Sequence, residues 1–531
     1  MGNFIKVIFN KYWSVFYKPD PKKTEENVWP AIIVGLFAAF GGILFGYDTG
    51  SISGVMEMNY VLERFPEDKP MEFSSSEHSL IVSILSAGTF FGALSAPFIA
   101  DTLGRKWVIV ISSLFTFNLG IALQTAATTI GLLAAGRVIA GFGLGFISAT
   151  IPLYQSETVP KSVRGAIVSV YQLAITIGIF LASCVEKGTH NRNDSGSYRI
   201  PIALQFAWAL ILGIGMIFLP ETPRFYISKN KEMEGKESLS KLRKLPIDHP
   251  ELLEEYDEIK ANYDFENSFG SSSWPDVFKT GNSQLKRIFT GTSLQAFQQL
   301  TGINFIFYYG TTFFGNAGIK DAFTVQVITN LVNVFMTFPG IYLVEVVGRR
   351  ALLIWGAAGM CLSGFVVAIV GEISDSDASN KALVAFACIF IAFFASSWGP
   401  VCWVVTGEIY PLRVRGKSVA LTTASNWLWN FAIAYATPYM IDSGPGNANL
   451  GTRVYFIWGG CNVLAGIFAY CFIYETKNLS LEEIDETYQE NKYAWRSTNF
   501  KPKSFHENIQ NNMIEKEESF ISKEKSSHSF A

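Results

Sequence analysis

Two ionisable residues, Asp48 and Arg137, lie well inside long apolar stretches. The stretch holding Asp48 ends near Val55, and the one holding Arg137 begins near Thr129. If the first runs outward and the second inward, a rise of about 1.5 Å per residue sets both roughly 10–12 Å below one face of a membrane. Equal depth permits an ion pair. A charge in hydrocarbon is costly unless paired or hydrated, and it marks a functional site by default. Burial and a neighbouring guanidinium pull an acid's proton affinity in opposite directions. A pair whose separation changes with conformation would therefore let Asp48 take up and release a proton. A second set is neutral: Gln298, Gln299 and Asn304 share one apolar stretch. On a continuous helix Gln298 and Gln299 differ by about 100°, and Asn304 returns to the same broad face. Carboxamides donate and accept at once, which suits a ligand bearing several hydroxyl groups. The competing reading is helix–helix hydrogen bonding, which membrane amides also perform.

Other chemistries lack their residues. Gly416-Lys417-Ser418 ends like a phosphate loop, but Pro411 stands where the upstream glycine is required. Gly141-x-Gly143-x-Gly145 reads as a small-residue packing face rather than a dinucleotide turn. The histidines (His78, His190, His249, His506, His528) are scattered. The cysteines (Cys184, Cys361, Cys388, Cys402, Cys461, Cys471) sit in or beside apolar segments without zinc-ligand spacing. No enzyme, metal or cofactor is expected. A net charge of −3 gives no electrostatic case for nucleic acid. Met1-Gly2-Asn3 opens like a myristoylation signal, yet Lys6 replaces the required Ser or Thr. Lys6 and Lys11 also interrupt any signal-peptide core.

The elements that position these groups follow from composition. Of 531 residues only 16% are charged, against about 25% in soluble proteins. Charge collects at the N-terminus, around 222–287 and after Glu475. Between lie twelve apolar stretches, near 30–55, 79–100, 107–127, 129–154, 165–186, 199–219, 285–314, 322–345, 350–371, 382–407, 417–441 and 452–474. Each matches the ~20 residues of helix that cross a bilayer. Short loops on one side carry Arg105, Lys106, Lys161, Arg164, Arg349, Arg350, Arg413, Arg415 and Lys417. The other side has few cations, such as Lys187, Arg192 and Lys320. By the positive-inside rule both termini and the central segment are cytoplasmic, and the sequon Asn193-Asp194-Ser195 faces outward as a candidate glycosylation site.

The halves repeat. Asp101-Thr102-Leu103-Gly104-Arg105-Lys106 returns as Glu345-Val346-Val347-Gly348-Arg349-Arg350. Glu157 followed by Arg164 returns as Glu408 followed by Arg415, and Glu221-Thr222 as Glu475-Thr476. Three landmarks in order, at an offset of about 250 residues, indicate a duplicated six-helix unit around a midplane site. The expected division is an N-terminal cytoplasmic segment (1–28), a six-helix half (29–221), a helical linker (222–284), a second half (285–475) and a disordered cytoplasmic tail (476–531). Arg105, Glu157, Arg164, Glu221, Glu345, Arg349, Glu408, Arg415 and Glu475 fall at cytoplasmic helix ends, where a charge network can break and reform as the halves rock.

From about Val28 to Asp485 the chain resembles the sugar porters of the major facilitator superfamily. The resemblance rests on the paired Gly-Arg loops, Pro220-Glu221-Thr222-Pro223-Arg224, Gln298-Gln299-Leu300-Thr301-Gly302-Ile303-Asn304, Tyr308-Tyr309 and Glu475-Thr476-Lys477. Asn478 departs from the family's frequent Gly. Ile151-Pro152-Leu153-Tyr154-Gln155-Ser156-Glu157 and Ala424-Ser425-Asn426-Trp427-Leu428-Trp429-Asn430 narrow it to yeast high-affinity glucose transporters, especially glucose/xylose–proton symporters. The resemblance implies an all-α twelve-helix fold and a monomeric plasma-membrane hexose transporter. It implies sugar contacts at Gln172, Gln298, Gln299, Asn304, Asn333, Asn426 and Asn430, a Trp403 plate beneath the ring, and Trp427 as a wall. It places an outer gate at Tyr308 and Tyr309, and makes Asp48 the proton-coupling acid. Pro400 permits a kink, which in this family implies a gating hinge at Gly399-Pro400. Facilitators of the family also carry an acid in this position, so uniport stays open. A glucose sensor is the third reading; family sensors carry longer tails than the segment after Glu475.

Overall fold

The computed structural model describes residues 27–68, 71–160, 163–267, 273–279, 283–316, 321–373, 376–411, 413–442, 446–479 and 481–500. The expectations for the extreme N-terminus, for most of the tail, and for Lys161 and Lys320 fall outside the described residues. The described residues build twelve membrane helices in two sets of six.

The first set is α1 (Trp29–Met56), α2 (Ser75–Leu103), α3 (Arg105–Ala126), α4 (Ile130–Thr158), α5 (Arg164–Thr189) and α6 (Gly196–Ile217). In the second, α7 has two pieces, α7a (Gln284–Leu300) and α7b (Ile303–Asn316). It is followed by α8 (Ala322–Val346), α9 (Arg349–Ile373), α10a (Asp377–Ser396), α10b (Trp398–Glu408), α11 (Arg415–Ile441) and α12 (Val454–Phe472). Ten of these helices are long and apolar enough to cross a membrane on length and composition. The other two are α7, divided into short pieces, and α11, whose polar residues dilute its apolar character. These two helices carry the amide cluster.

Close packing within the first set follows from small residues. A Cβ on Gly141 would lie 2.2 Å from the Leu85 carbonyl oxygen, and one on Gly145 would lie 2.3 Å from that of Thr89. Gly141 and Gly145 therefore let α4 meet α2 backbone to backbone, while Gly143 lies against Phe117 of α3, so the expected single face is two. Between the sets, α2 packs on α11, α5 on α8, and α1 on α7b. Helices Pro223–Ser228, Glu232–Arg243 and Pro250–Asn267 form a linker between the two sets with its own apolar cluster of Ile227, Leu239, Leu245, Leu252 and Tyr256. The expectation of disorder is corrected for the described start of the tail: helix Leu481–Glu490 buries Leu481, Ile484 and Tyr488 against the second set, with Asp485 bonded to Arg287 and Tyr488 stacked on Tyr474 at 4.3 Å.

Candidate functional site

The α7 helix does not run through the amide motif as one element. It breaks at Thr301-Gly302, where Gly302 adopts φ +88°, a left-handed conformation that costs a side-chain-bearing residue about 1–2 kcal/mol. The single-helix placement of Asn304 beside Gln298 is thus corrected. Across the break the Asn304 amide donates to Gln299 Oε1.

A buried network of carboxamides joins α7a to α11. Asn426 is its hub: Nδ2 donates to Gln295 Oε1 at 2.6 Å and to Gln298 Oε1 at 2.7 Å. Its Oδ1 accepts from Gln299 Nε2 at 3.0 Å. Asn430 Nδ2 donates to Gln299 Oε1 at 3.1 Å. Gln298 Nε2 reaches the carbonyls of Trp398 and Gly399, both at 3.1 Å. Gln295, not singled out from sequence, also donates to Thr406 Oγ1 at 2.9 Å; it lies one turn before Gln298 on the same face. Gln172 of α5 reaches this region from the other half, since a Cβ on Gly399 would sit 3.2 Å from its Nε2. Asn333 is fully buried, yet neither of its amide atoms has a partner.

Aromatic plates line the same level. Trp403 meets Tyr171 edge to face at 5.4 Å, and Phe45 at 6.4 Å. Trp427 packs on Phe45 at 4.7 Å, and its indole N–H donates to Ser148 Oγ at 3.1 Å across the halves. The kink expected at Pro400 lies earlier. Ser397 (φ −138°, ψ −85°) ends α10a, and Pro400 sits in the first turn of α10b, where its missing N–H removes no helical bond.

Both ends of the site are closed. On one side Tyr309 donates to the Ala434 carbonyl at 2.6 Å and rests on the His78 ring at 5.0 Å. Tyr308 donates to Asn430 Oδ1 at 2.9 Å. Ser53 bonds Thr311 at 3.2 Å, Thr312 donates to Glu57 at 2.5 Å, and Ser75 donates to Asp442 at 2.8 Å. Lys187 pairs with Asp321 at 2.7 Å and holds that carboxyl down to about 2. Asn193 is exposed near this end, in the loop after α5. On the other side Gly165 of α5 presses on Glu345 and Arg349. Trp274 of the linker lies on Phe98 of α2 at 5.8 Å, while Asp276 pairs with Arg413 at 2.7 Å.

Asp48 and Arg137 are buried, at 0% and 1% exposure. They do not form the direct ion pair that equal depth permitted: Asp48's oxygens and Arg137's Nε and Nη2 lack hydrogen-bond partners, although the two groups interact electrostatically. Gln205 of α6, missed from sequence, faces Asp48; its signal is a lone amide in an otherwise apolar span. Tyr308 interacts with Thr49 and, electrostatically, with Asp48, so one tyrosine lies between the acid's neighbourhood and the amide network.

The charge network repeats in both halves. Arg105 pairs with Glu157 at 3.3 Å, and Arg349 with Glu408 at 3.0 Å. Glu221 accepts the Lys106 amide at 3.0 Å at the start of α3, and Glu475 accepts the Arg349 and Arg350 amides at 3.0 and 3.2 Å at the start of α9. A carboxylate at a helix N-terminus is favourable. Burial pushes the Glu221 carboxyl up to about 7, against the pull of the Thr222 amide, Arg105 and the Lys106 amide. Glu345 pairs with Arg349 at 3.7 Å. Arg164 and Arg415 are buried at the starts of α5 and α11, and Arg415 donates to the Tyr410 carbonyl at 3.0 Å. Gly104 (φ +100°) and Gly348 (φ +96°) make room for the two capping glutamates; a Cβ there would lie 2.2 and 2.4 Å from their oxygens. Such backbone costs a non-glycine residue about 1–3 kcal/mol. Gly104→Ala and Gly348→Ala are each expected to lower the melting temperature of the detergent-extracted protein by several degrees. Gly407→Ala, which meets nothing closer than 3.7 Å, is the control and should melt like wild type.

Comparison with known proteins places residues 34–488 in the family described as sugar (and other) transporter. The chain is 51% identical over 500 residues to the major facilitator-type transporter ecdD of Aspergillus rugulosus, covering 91% of this chain and 92% of that one. It is 50% identical over 474 residues to the high glucose sensor RGT2 of Saccharomyces cerevisiae, covering 88% of this chain and 62% of the sensor. Among solved structures, the proton:xylose symporter XylE of E. coli, bound to 6-bromo-6-deoxy-D-glucose, superposes with a TM-score of 0.76 at 28% identity. That match covers 87% of this chain and 100% of XylE.

Proposed function

Since the chain belongs to the sugar transporter family of the major facilitator superfamily, and is a multi-pass membrane protein that transports sugar, we propose that it takes up hexoses, glucose first and xylose second, by proton-coupled alternating access. The proposed setting is the plasma membrane, with both termini and the linker in the cytoplasm, where the cation-rich loops belong.

The observation that supports this reading is the buried amide network of Gln298, Gln299, Asn304, Asn426 and Asn430, sealed between two gates. With the gates shut these amides bond to one another. A pyranose offers hydroxyl groups that exchange for those bonds one for one, so binding costs little unsatisfied polarity. Trp403 offers an aromatic face to the sugar's C–H side. The proton's route is read from Asp48. It is buried beside Gln205 and acts electrostatically on Tyr308, and Tyr308 holds Asn430. A change of charge at Asp48 thereby reaches the outer gate and the sugar amides through one side chain. The inner network, where Glu345 and Arg349 of one half meet Gly165 of the other, must part for release.

The test is the external pH of de-energised cells in which this chain is the only sugar transporter, on addition of glucose and then xylose. A transient alkalinisation with sugar entry supports symport; entry without any pH change makes the protein a uniporter. The likeness to RGT2 keeps a sensor reading in view. A protein that signals glucose without moving it would give neither uptake nor pH change. Gln298→Ala is expected to reduce uptake at low glucose about tenfold, since it removes an amide that meets Asn426 and two carbonyls. Near-normal uptake would remove Gln298 from the site.

A further inference from the structure

The outer half of α8 carries two amides, Gln326 and Asn330, that belong to neither the gates nor the central site, and Asn333, a candidate contact of the central site, follows one turn inward. Gln326, Asn330 and Asn333 recur at intervals of four and three residues, which on a helix is one face. All three are buried, Asn330 to 1% exposure. Neither amide atom of Asn330 has a hydrogen-bond partner, neither atom of Asn333 has one, and the Gln326 side-chain oxygen has none. Polar atoms sealed inside a membrane protein and unanswered by it are unfavourable until a polar guest satisfies them.

Neighbouring positions on α8 locate this face. Phe323 stacks on His190, which caps α5, at 4.5 Å, and Val334 and Ile341 pack against the apolar side of α5. On the other flank Gln326 Nε2 donates to the Ile306 carbonyl of α7b at 3.4 Å. Asn330 therefore falls in the seam between α5 and α7b, about 12 Å inward from the outer end of α8 and about 4.5 Å outward of Asn333. The seam leads from the Lys187–Asp321 pair toward the central amides.

We propose that Asn330 forms an outer subsite that hydrogen-bonds the hydroxyl groups of a sugar in transit between the outer gate and the central network, with Gln326 above it and Asn333 below. The proposal rests on the sugar-transport reading and adds a station to it. Its physical distinction is that the central amides must give up bonds to one another before they bind sugar, whereas Asn330 has none to give up. A carboxamide can donate to one hydroxyl and accept from the next, so a ring is held at this level without rearrangement. A station on the path changes the rates of arrival and departure together and leaves the affinity of the deeper site alone.

The experiment uses the full chain, purified and reconstituted in liposomes, as wild type, Asn330→Leu, Asn330→Gln and Asn333→Leu. Glucose affinity is read from tryptophan fluorescence and passage from exchange of labelled glucose. Asn330→Leu is expected to keep the equilibrium affinity within about twofold and to slow exchange about tenfold. Asn330→Gln should restore most of the rate. Unchanged exchange in Asn330→Leu overturns the proposal. So does slow exchange in both Asn330 variants with a lowered melting temperature, which is a structural role. An affinity loss equal to that of Asn333→Leu merges Asn330 with the central site and overturns it as well. No fluorescence response and no exchange in wild type would instead sink the sugar-transport reading, and the subsite with it.

Discussion

Asn426→Leu is expected to lower glucose uptake at sub-saturating sugar by more than about 100-fold, the largest effect of any single change in the amide network. The leucine has similar bulk, so the loss is one of polarity. Asn426 satisfies Gln295 Oε1, Gln298 Oε1 and Gln299 Nε2 at once. Without it, three buried groups lose a partner, and each such loss costs about 1–3 kcal/mol. The freed glutamines then rotate toward whatever polar groups remain, and the donors no longer converge on one ring. Asn426→Asp separates the two halves of its role: it keeps the acceptor facing Gln299 and loses the donors facing Gln295 and Gln298. Its uptake should fall between that of wild type and Asn426→Leu. The check is labelled-glucose uptake normalised to surface protein. A leucine variant with normal surface amount and more than a third of wild-type uptake would mean the network serves helix packing and not sugar.

The network shows what the sequence made legible and what it did not. Fold class was legible because apolar length, charge placement and the duplicated Gly-Arg and Glu landmarks all report the same architecture. The amide positions were legible because a carboxamide in a span stands out against its neighbours. The route by which they meet was not. Asn304 reaches Gln299 through a break at Gly302, and a helical wheel drawn through that break puts it in place for the wrong reason. The same holds at α10, where a proline draws attention to Pro400 while the backbone turns at Ser397. Proline's missing N–H matters only inside a helix, and only packing decides where the helix starts. Gln205 went unmarked as a lone amide, and Gln295 and Asn330 went unmarked although each lies one turn from a marked amide; the meaning of all three depends on what another helix places opposite them. Asp48 and Arg137 were legible as a pair by depth, but depth fixes only one of three coordinates.

The second large effect is expected at that pair. Asp48→Asn should abolish sugar accumulation against a gradient, taking the accumulation ratio to about one, while exchange of glucose at equal concentrations continues at a rate of the wild-type order. Asparagine imitates the protonated acid in shape and charge, so the variant behaves as a carrier that is always loaded. It can rock with sugar bound, but it carries no proton whose gradient could drive the cycle. Arg137→Leu removes the guanidinium that acts on Asp48, and a buried charge without its counter-charge is strongly unfavourable. Both accumulation and exchange should therefore fall in Arg137→Leu. Tyr308→Phe tests the link between the sites. It loses the bond to Asn430 and keeps the ring that closes the gate, so sugar affinity should drop and alkalinisation per sugar moved should drop with it. If Asp48→Asn accumulates sugar as wild type does, the proton travels elsewhere. If wild type itself never accumulates sugar, the acid at position 48 serves the gate: its proximity to Thr49 and Tyr308 would set how readily α7b swings, and coupling would have no part in it.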